Sequence, residues 1–265
     1  MNGFANQQFQ RNMTVLHPSY TTSFGVNSSL QSRGFCVLDA FSVATWLNCT
    51  IKDLVALSPS WDDLPHDNYL KDGGHYRRRR HSSFIFENNV CKQIPHRAHW
   101  QPVDYNALHG GMERLFEPIL DTTIIQPTWS KILTKLAMTA SELNEVKEKR
   151  WCIEAHQFRI DTTGGIGRPT PEGAHRDGVD WVAVFLVNRN GVKGGETRVF
   201  EADGPHGERF TLFEPWSLLL LNDARMIHES TPIQPVAETG YRDTLVVTLR
   251  ENYFQNPVSS IPKSS

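Results

Sequence analysis

Cysteine is scarce and scattered. The four residues, Cys36, Cys49, Cys91 and Cys152, form no Cys-x-x-Cys pair, which argues against a disulfide framework or a structural zinc site and matches free thiols in a reducing cytoplasm. Neither sign of charge dominates. A formal net charge of −2 provides no global field to draw the chain onto nucleic acid or an anionic membrane surface. No apolar run approaches the roughly 18 residues that a spanning helix needs. The opening "MNGFANQQFQRNMTVLHPSY" has no apolar segment of the kind a secretion signal carries. The Asn-x-Ser/Thr triplets at Asn12, Asn27 and Asn48 are therefore read as chance. There is no internal repeat and no low-complexity linker, and 265 residues suffice for one large domain with a sizeable core.

What is present divides into two halves. The first is mixed. Residues 1–33 read as a loosely ordered arm. "GFCVLDAF" (34–41) reads as a strand entering a helix that continues through "TIKDLVALS", and "DYNALHGGMERLFEPIL" (104–120) as a helix interrupted at Gly110-Gly111. The strongest helix is "TWSKILTKLAMTASELNEVKEKR", capped by Thr128, with Ile132, Leu133, Leu136, Ala140, Leu143 and Val146 on one stripe. From Trp151 the period changes to that of strands. "WCIEAHQFRI", "WVAVFLVN", "TRVF", "RFTLF", "SLLLL", "RMIHE" and "DTLVVTL" follow with turn signals between them and no helix. Such a succession predicts an α+β protein: a β-sandwich or barrel, buttressed by helices of the first half, which also supplies edge strands.

Just ahead of the most strand-like run, "PTPEGAHRDGVDWVAVFLVN" (169–188) places His175 and Asp177 two residues apart. In extended chain such residues point to the same side. The two are either a hydrogen-bonded pair on the surface or two of the three protein ligands of a metal. Of the later histidines, His206 sits in the turn "DGPHGE", whereas His228 follows the apolar "WSLLLLND" on a strand of its own. Two histidines and a carboxylate form a facial triad that leaves half the coordination sphere open, as Fe(II) oxygen chemistry requires. Arg242 opens the last strand, and Thr244 shares its face. A guanidinium beside a hydroxyl suits a carboxylate.

The pattern "HRD…GGETRVF…PWSLLLLNDARMIHESTPI…RDT" resembles the iron- and 2-oxoglutarate-dependent dioxygenases with their double-stranded β-helix (jelly-roll, cupin-like) core. The longer "PEGAHRDGVDWVAVFLVNRNGVKGGE", with "HYRRRRHSSF" and "YNALHGGMERLFEP" upstream, is similar to the bacterial hydroxylases of free amino acids of the isoleucine and leucine dioxygenase type. One departure is the "EPW" turn at 214–216, where many dioxygenases are glycine-rich. The resemblance implies a single dioxygenase domain over 34–250, with its catalytic β-core mainly in 151–250 and a C-terminal tail over 251–265. It further implies Fe(II) on His175, Asp177 and His228, 2-oxoglutarate on Arg242 and Thr244, and O2 as oxidant. The products would be succinate, CO2 and a hydroxylated aliphatic carbon, with ascorbate helpful in vitro.

A zwitterionic substrate needs a cation, an anion and a wall for its side chain. The candidates are Arg77, Arg79 and Arg159 for the carboxylate, Glu172 and Asp180 for the ammonium, and Trp181 for the side chain. If 77–80 is a strand, Arg77 and Arg79 share one face and Arg78 and Arg80 the other. His156 is read as a core histidine outside the triad. The substrate expectation is a free aliphatic L-amino acid, with no nucleic-acid or membrane partner. The oligomeric state is open, a homodimer being one option. The alternatives are a cupin-like metal enzyme that does not use 2-oxoglutarate and a non-catalytic β-sandwich binding module.

Overall fold

The computed structural model describes residues 16–144 and 150–257. Its strands, in chain order, are β1 (Phe35–Leu38), β2 (Arg77–Glu87), β3 (Val90–Gln93), β4 (Trp151–Asp161), β5 (Trp181–Asn190), β6 (Val192–Gly194), β7 (Thr197–Glu201), β8 (Gly207–Phe210), β9 (Ser217–Asn222), β10 (Met226–Ser230), β11 (Ile233–Pro235) and β12 (Tyr241–Glu251). Seven of them form the major sheet in the order β1-β9-β5-β12-β4-β2-β3. A three-stranded sheet, β10-β7-β8, and a β11-β6 pair complete a jelly roll, and every pairing is antiparallel. The first half does supply the edges, β1 on one side and β2-β3 on the other.

Alternation along the strands gives the major sheet two unlike faces. On β12, Leu245, Val247 and Leu249 point to the helix side and are fully buried there. Residues Arg242, Thr244, Val246 and Thr248 point the other way, into a cavity. The helix side is covered mainly by α5 (Pro127–Leu143; α1 to α4 are Val26–Arg33, Ala40–Trp46, Ile51–Val55 and Asp121–Ile124). Of its expected stripe, Ile132, Leu133, Leu136 and Ala140 are buried in the core and Leu143 is half-buried; Val146 lies outside the described residues. The cap is Gln126 with Pro127 in the first turn, so Thr128 lies one turn-position inside the helix. Among the described residues no helix is long and apolar enough to cross a membrane.

Several local expectations need correcting. The arm is helical over α1, where Val26 and Leu30 are buried. The helix after β1 stops at Trp46, and α3 starts afresh from a capping box at Thr50 and Asp53. The segment 104–120 forms no helix at all. Gly110 packs so tightly on the carbonyls of Pro102 and Asn106 that a Cβ would clash, and Gly111 has φ +74°. These constraints fold a compact loop, which a two-way His99–Arg114 backbone bridge (2.9 Å each way) then pins.

Candidate active site

His175 and Asp177 do not sit in a strand. They lie on an extended stretch ahead of β5, held by three devices. His175 exchanges backbone hydrogen bonds with His228 of β10 at 3.1 and 3.0 Å. The Asp223 carboxylate, in the turn between β9 and β10, accepts the N–H groups of Asp177, Gly178 and Val179. Gln255, in the expected C-terminal tail, donates to the carbonyls of Asp177 and Gly178.

The result brings the three expected ligands together. His175 Nε2 is 3.7 Å from Asp177 Oδ1, and His228 Nε2 is 3.8 Å from Oδ2. One donor atom from each residue falls within 4.8 Å of the others. His175 Nδ1 donates to the Gly173 carbonyl at 2.8 Å, which leaves Nε2, facing Asp177, as the nitrogen that can give up its proton to a metal. Burial alone would depress His175, but Asp177 and Glu172 beside it raise its pKa to about 10. Burial and the neighbouring His175 push His228 down to about 4. Burial would raise the Asp177 carboxyl, yet its imidazole partners hold it well below the usual range. A carboxylate that binds cationic character so strongly, between two imidazoles that both turn Nε2 toward it, fits a divalent first-row metal.

Arg242 and Thr244 are both 3% exposed and line the same cavity. Arg242 has its Nε and Nη2 buried without a partner. Burial and the Arg189 guanidinium lower its pKa to about 10. A buried guanidinium lacking an anion fits a carboxylate ligand. Ile160 is the cross-strand partner of Arg242 on β4, and Phe158, Val184 and Val246 line the same cavity further along the sheet.

The other candidates divide by strand parity. Arg77 and Arg79 face the cavity, 6% and 4% exposed. Glu172 also lines it, Oε1 lying 3.5 Å from His175 Nε2 and Oε2 buried without a partner. Arg159, Asp180 and Trp181 do not line it. Arg159 points to the opposite face of β4, gripping Asp243 with two 2.8 Å hydrogen bonds. Asp180 accepts the Glu251 N–H at 2.8 Å and so ties β5 to β12. Trp181 lies in the helix-side core, its Nε1 donating to Asn144.

No sequence signal points to Gln101, Asn106 or Arg114; the last two lie in the 104–120 segment expected to be helical and Gln101 just ahead of it, all on the loop that the His99–Arg114 bridge closes. Gln101 donates to Asp177 Oδ1 at 3.1 Å and accepts from Arg114 Nη2 at 2.9 Å, which links the arginine wall to the triad. A second buried group adjoins that wall. His81 and His99 donate to Glu154 (3.1 and 3.3 Å), while His156 Nδ1 accepts from Arg79 Nη2 at 2.6 Å. His156 is therefore outside the triad, as expected, but it lines the cavity as well.

The profile of the 2OG-Fe dioxygenase family matches residues 58–248. The chain belongs to this family. Membership brings Fe(II), 2-oxoglutarate and O2 with it, and the protein is a dioxygenase of that kind. It is 49% identical to a bsmA homolog from Methylobium petroleophilum PM1, whose crystal structure superposes with a TM-score of 0.86 over 92% of this chain and 99% of that one. IDO from Bacillus thuringiensis (20% identity, TM-score 0.67, 91% and 100% covered) shares the fold. So does an oxidoreductase of the 2OG-Fe(II) oxygenase family from Burkholderia pseudomallei (15%, 0.57, 91% and 98%). No curated protein sequence is significantly similar to the chain.

Proposed function

We propose that this dioxygenase hydroxylates an aliphatic C–H of a free L-amino acid, with iron on His175, Asp177 and His228 and the distal carboxylate of 2-oxoglutarate on Arg242 and Thr244. The observation that carries the reading is the pairing of charges on one cavity wall. Buried guanidinium groups of Arg77, Arg79 and Arg114 can take a carboxylate, and the unpartnered Glu172 oxygen can take an ammonium.

When bound, iron and 2-oxoglutarate supply the oxidising chemistry, converting 2-oxoglutarate and O2 into succinate, CO2 and the new hydroxyl. The chain's own residues position and shield. The Gly173 carbonyl sets the His175 tautomer, and Gln101 orients the Asp177 carboxylate. Burial keeps water from the Arg242 guanidinium, so its hydrogen bonds to a carboxylate are strengthened. Holding substrate by both charged ends fixes one carbon toward the metal, which is the main rate contribution a protein makes beside a metal oxidant. The unpartnered Arg242 nitrogens favour this reading over a cupin-like enzyme without 2-oxoglutarate, which has no use for them.

The test is a mass-spectrometric screen of free amino acids and of the same residues within peptides, with Fe(II), 2-oxoglutarate and ascorbate. A gain of one oxygen on a free amino acid, matched by succinate, is the expected result. The same gain on peptides alone would refute the substrate reading.

A further inference from the structure

The cavity wall facing the triad carries more positive charge than a neutral amino acid can offset. Arg77, Arg79 and Arg114 are 6%, 4% and 2% exposed. Asp67 is the carboxylate that serves them, 2.7 Å from Arg77 Nε and 3.8 Å from Arg79 Nη1. Glu154, the next buried carboxylate, is already engaged by His81, His99 and Arg97. Each of the three arginines keeps a buried nitrogen without a partner: Arg77 Nη2, Arg79 Nε and Arg114 Nε. Burial, then the Arg77 charge, lowers Arg114 to about 10, the direction expected of a cation short of anions. Arginine nevertheless stays protonated in proteins, so the chamber is cationic.

The charges can be counted. Iron(II) with Asp177, and 2-oxoglutarate with Arg242, sum to zero. With Glu154 set against Arg97, 3.3 Å away, Arg77, Arg79 and Arg114 exceed Asp67 and Glu172 together by one. A zwitterion of zero net charge leaves that excess buried and unpaired, which is costly. A substrate of net charge −1 cancels it.

Resting on the amino-acid reading above, we infer that the substrate is an acidic amino acid whose second carboxylate is held in the Arg77–Arg79–Arg114 chamber. Of the cavity's apolar residues, Ile160 pairs with Arg242 and Phe158 with Arg79, while Val184 and Val246 pair with each other further along β5 and β12. Trp181 belongs to the core, and what faces the arginines is Gln101, Asn106 and His99. The ring centroids of Phe116 and Phe158 lie 3.7 and 4.4 Å from the Arg79 guanidinium carbon. That stacking, with Asp67 and His156 at its nitrogens, holds Arg79 ready for a carboxylate rather than leaving it free to follow solvent.

The experiment is calorimetric titration of the full chain, loaded with Mn(II) and 2-oxoglutarate under nitrogen so that no turnover occurs. The probes are L-glutamate, L-aspartate, their amides L-glutamine and L-asparagine, L-leucine, L-isoleucine and glutarate. One of the two acids should bind about tenfold or more tighter than its own amide and than L-leucine. The preference should disappear in Arg114→Gln and persist in part in Arg114→Lys. L-Leucine or L-isoleucine binding as tightly as either acid would overturn the inference and leave the amino-acid reading intact. Glutarate binding where L-glutamate does not would overturn the amino-acid reading while upholding the acidic one. Binding of no probe would overturn the inference. The wild-type panel decides these outcomes even if a variant fails to fold.

Discussion

Asp223 accepts the backbone N–H of Asp177 at 2.9 Å, and the same carboxylate accepts those of Gly178 and Val179 at 2.8 and 3.1 Å. Asp223 is 1% exposed, so one buried side chain organises the stretch of chain bearing a proposed metal ligand. Removing it strands three donors and frees Asp177 to turn. Asp223→Ala is expected to weaken divalent-metal binding by about 10- to 100-fold and to lower stability by about 1–3 kcal/mol. Metal titration and a denaturant melt measure both, and unaltered metal affinity in a folded variant would remove Asp223 from this role.

The triad predicts that metal binding itself is lost with any ligand. His175→Ala, Asp177→Ala and His228→Ala should each fail to bind Co(II) or Fe(II) under nitrogen and should form no succinate, because an open facial site has no spare protein donor. Wild-type metal binding by His228→Ala would disprove the assignment.

Arg242 separates the co-substrate from the metal. Arg242→Lys keeps the charge and loses the fork. With a charged hydrogen bond worth about 1.5–3 kcal/mol, the 2-oxoglutarate requirement should rise by roughly one to two orders of magnitude while Co(II) affinity stays near wild type. An unchanged 2-oxoglutarate titration in Arg242→Ala would instead support the enzyme without this co-substrate.

The histidine cluster adjoining the arginine wall makes stability depend on pH. Burial lowers His81 to about 4 and depresses His99 and His156 too, with Arg79 adding to the effect in each. Glu154 opposes it at His81 and His99. Above about pH 6.5 both folded and unfolded imidazoles are neutral. As pH falls from 6.5 towards 4, the unfolded chain takes up protons that the folded cluster refuses. Stability is therefore lost across that window, by at most about 1.4 kcal/mol per pH unit for each imidazole. Urea melts between pH 7.5 and 5 should show a shallower loss in His81→Asn than in the wild type. Parallel pH curves for the two proteins would contradict the assignment.

Local chemistry read from the sequence picked out His175, Asp177 and His228, which the fold brings within 4.8 Å of one another, and Arg242 and Thr244, which line the same cavity, because each is marked by a short pattern: a His-x-Asp, a histidine on a strand of its own, an arginine opening the last strand. The same holds for the jelly roll and for the α5 stripe, where the periods of strand and helix leave their mark on every few residues. Parity along 77–80 separated Arg77 and Arg79 from Arg78 and Arg80 correctly. It could not say which face of β4 and β5 met the cavity, so Arg159 and Trp181 fell on the wrong side. That choice belongs to the packing of α5 on the sheet, a long-range event with no local signature. Neither Gln101 nor Arg114 was legible, since a loop closed by Gly110 and a His99–Arg114 bridge has no periodicity to read. The sequence by itself determined which atoms can bind metal and carboxylate. The tertiary structure decided what lies opposite them, because a cavity wall is assembled from segments distant in the chain and only burial reveals which of their charges lack a partner.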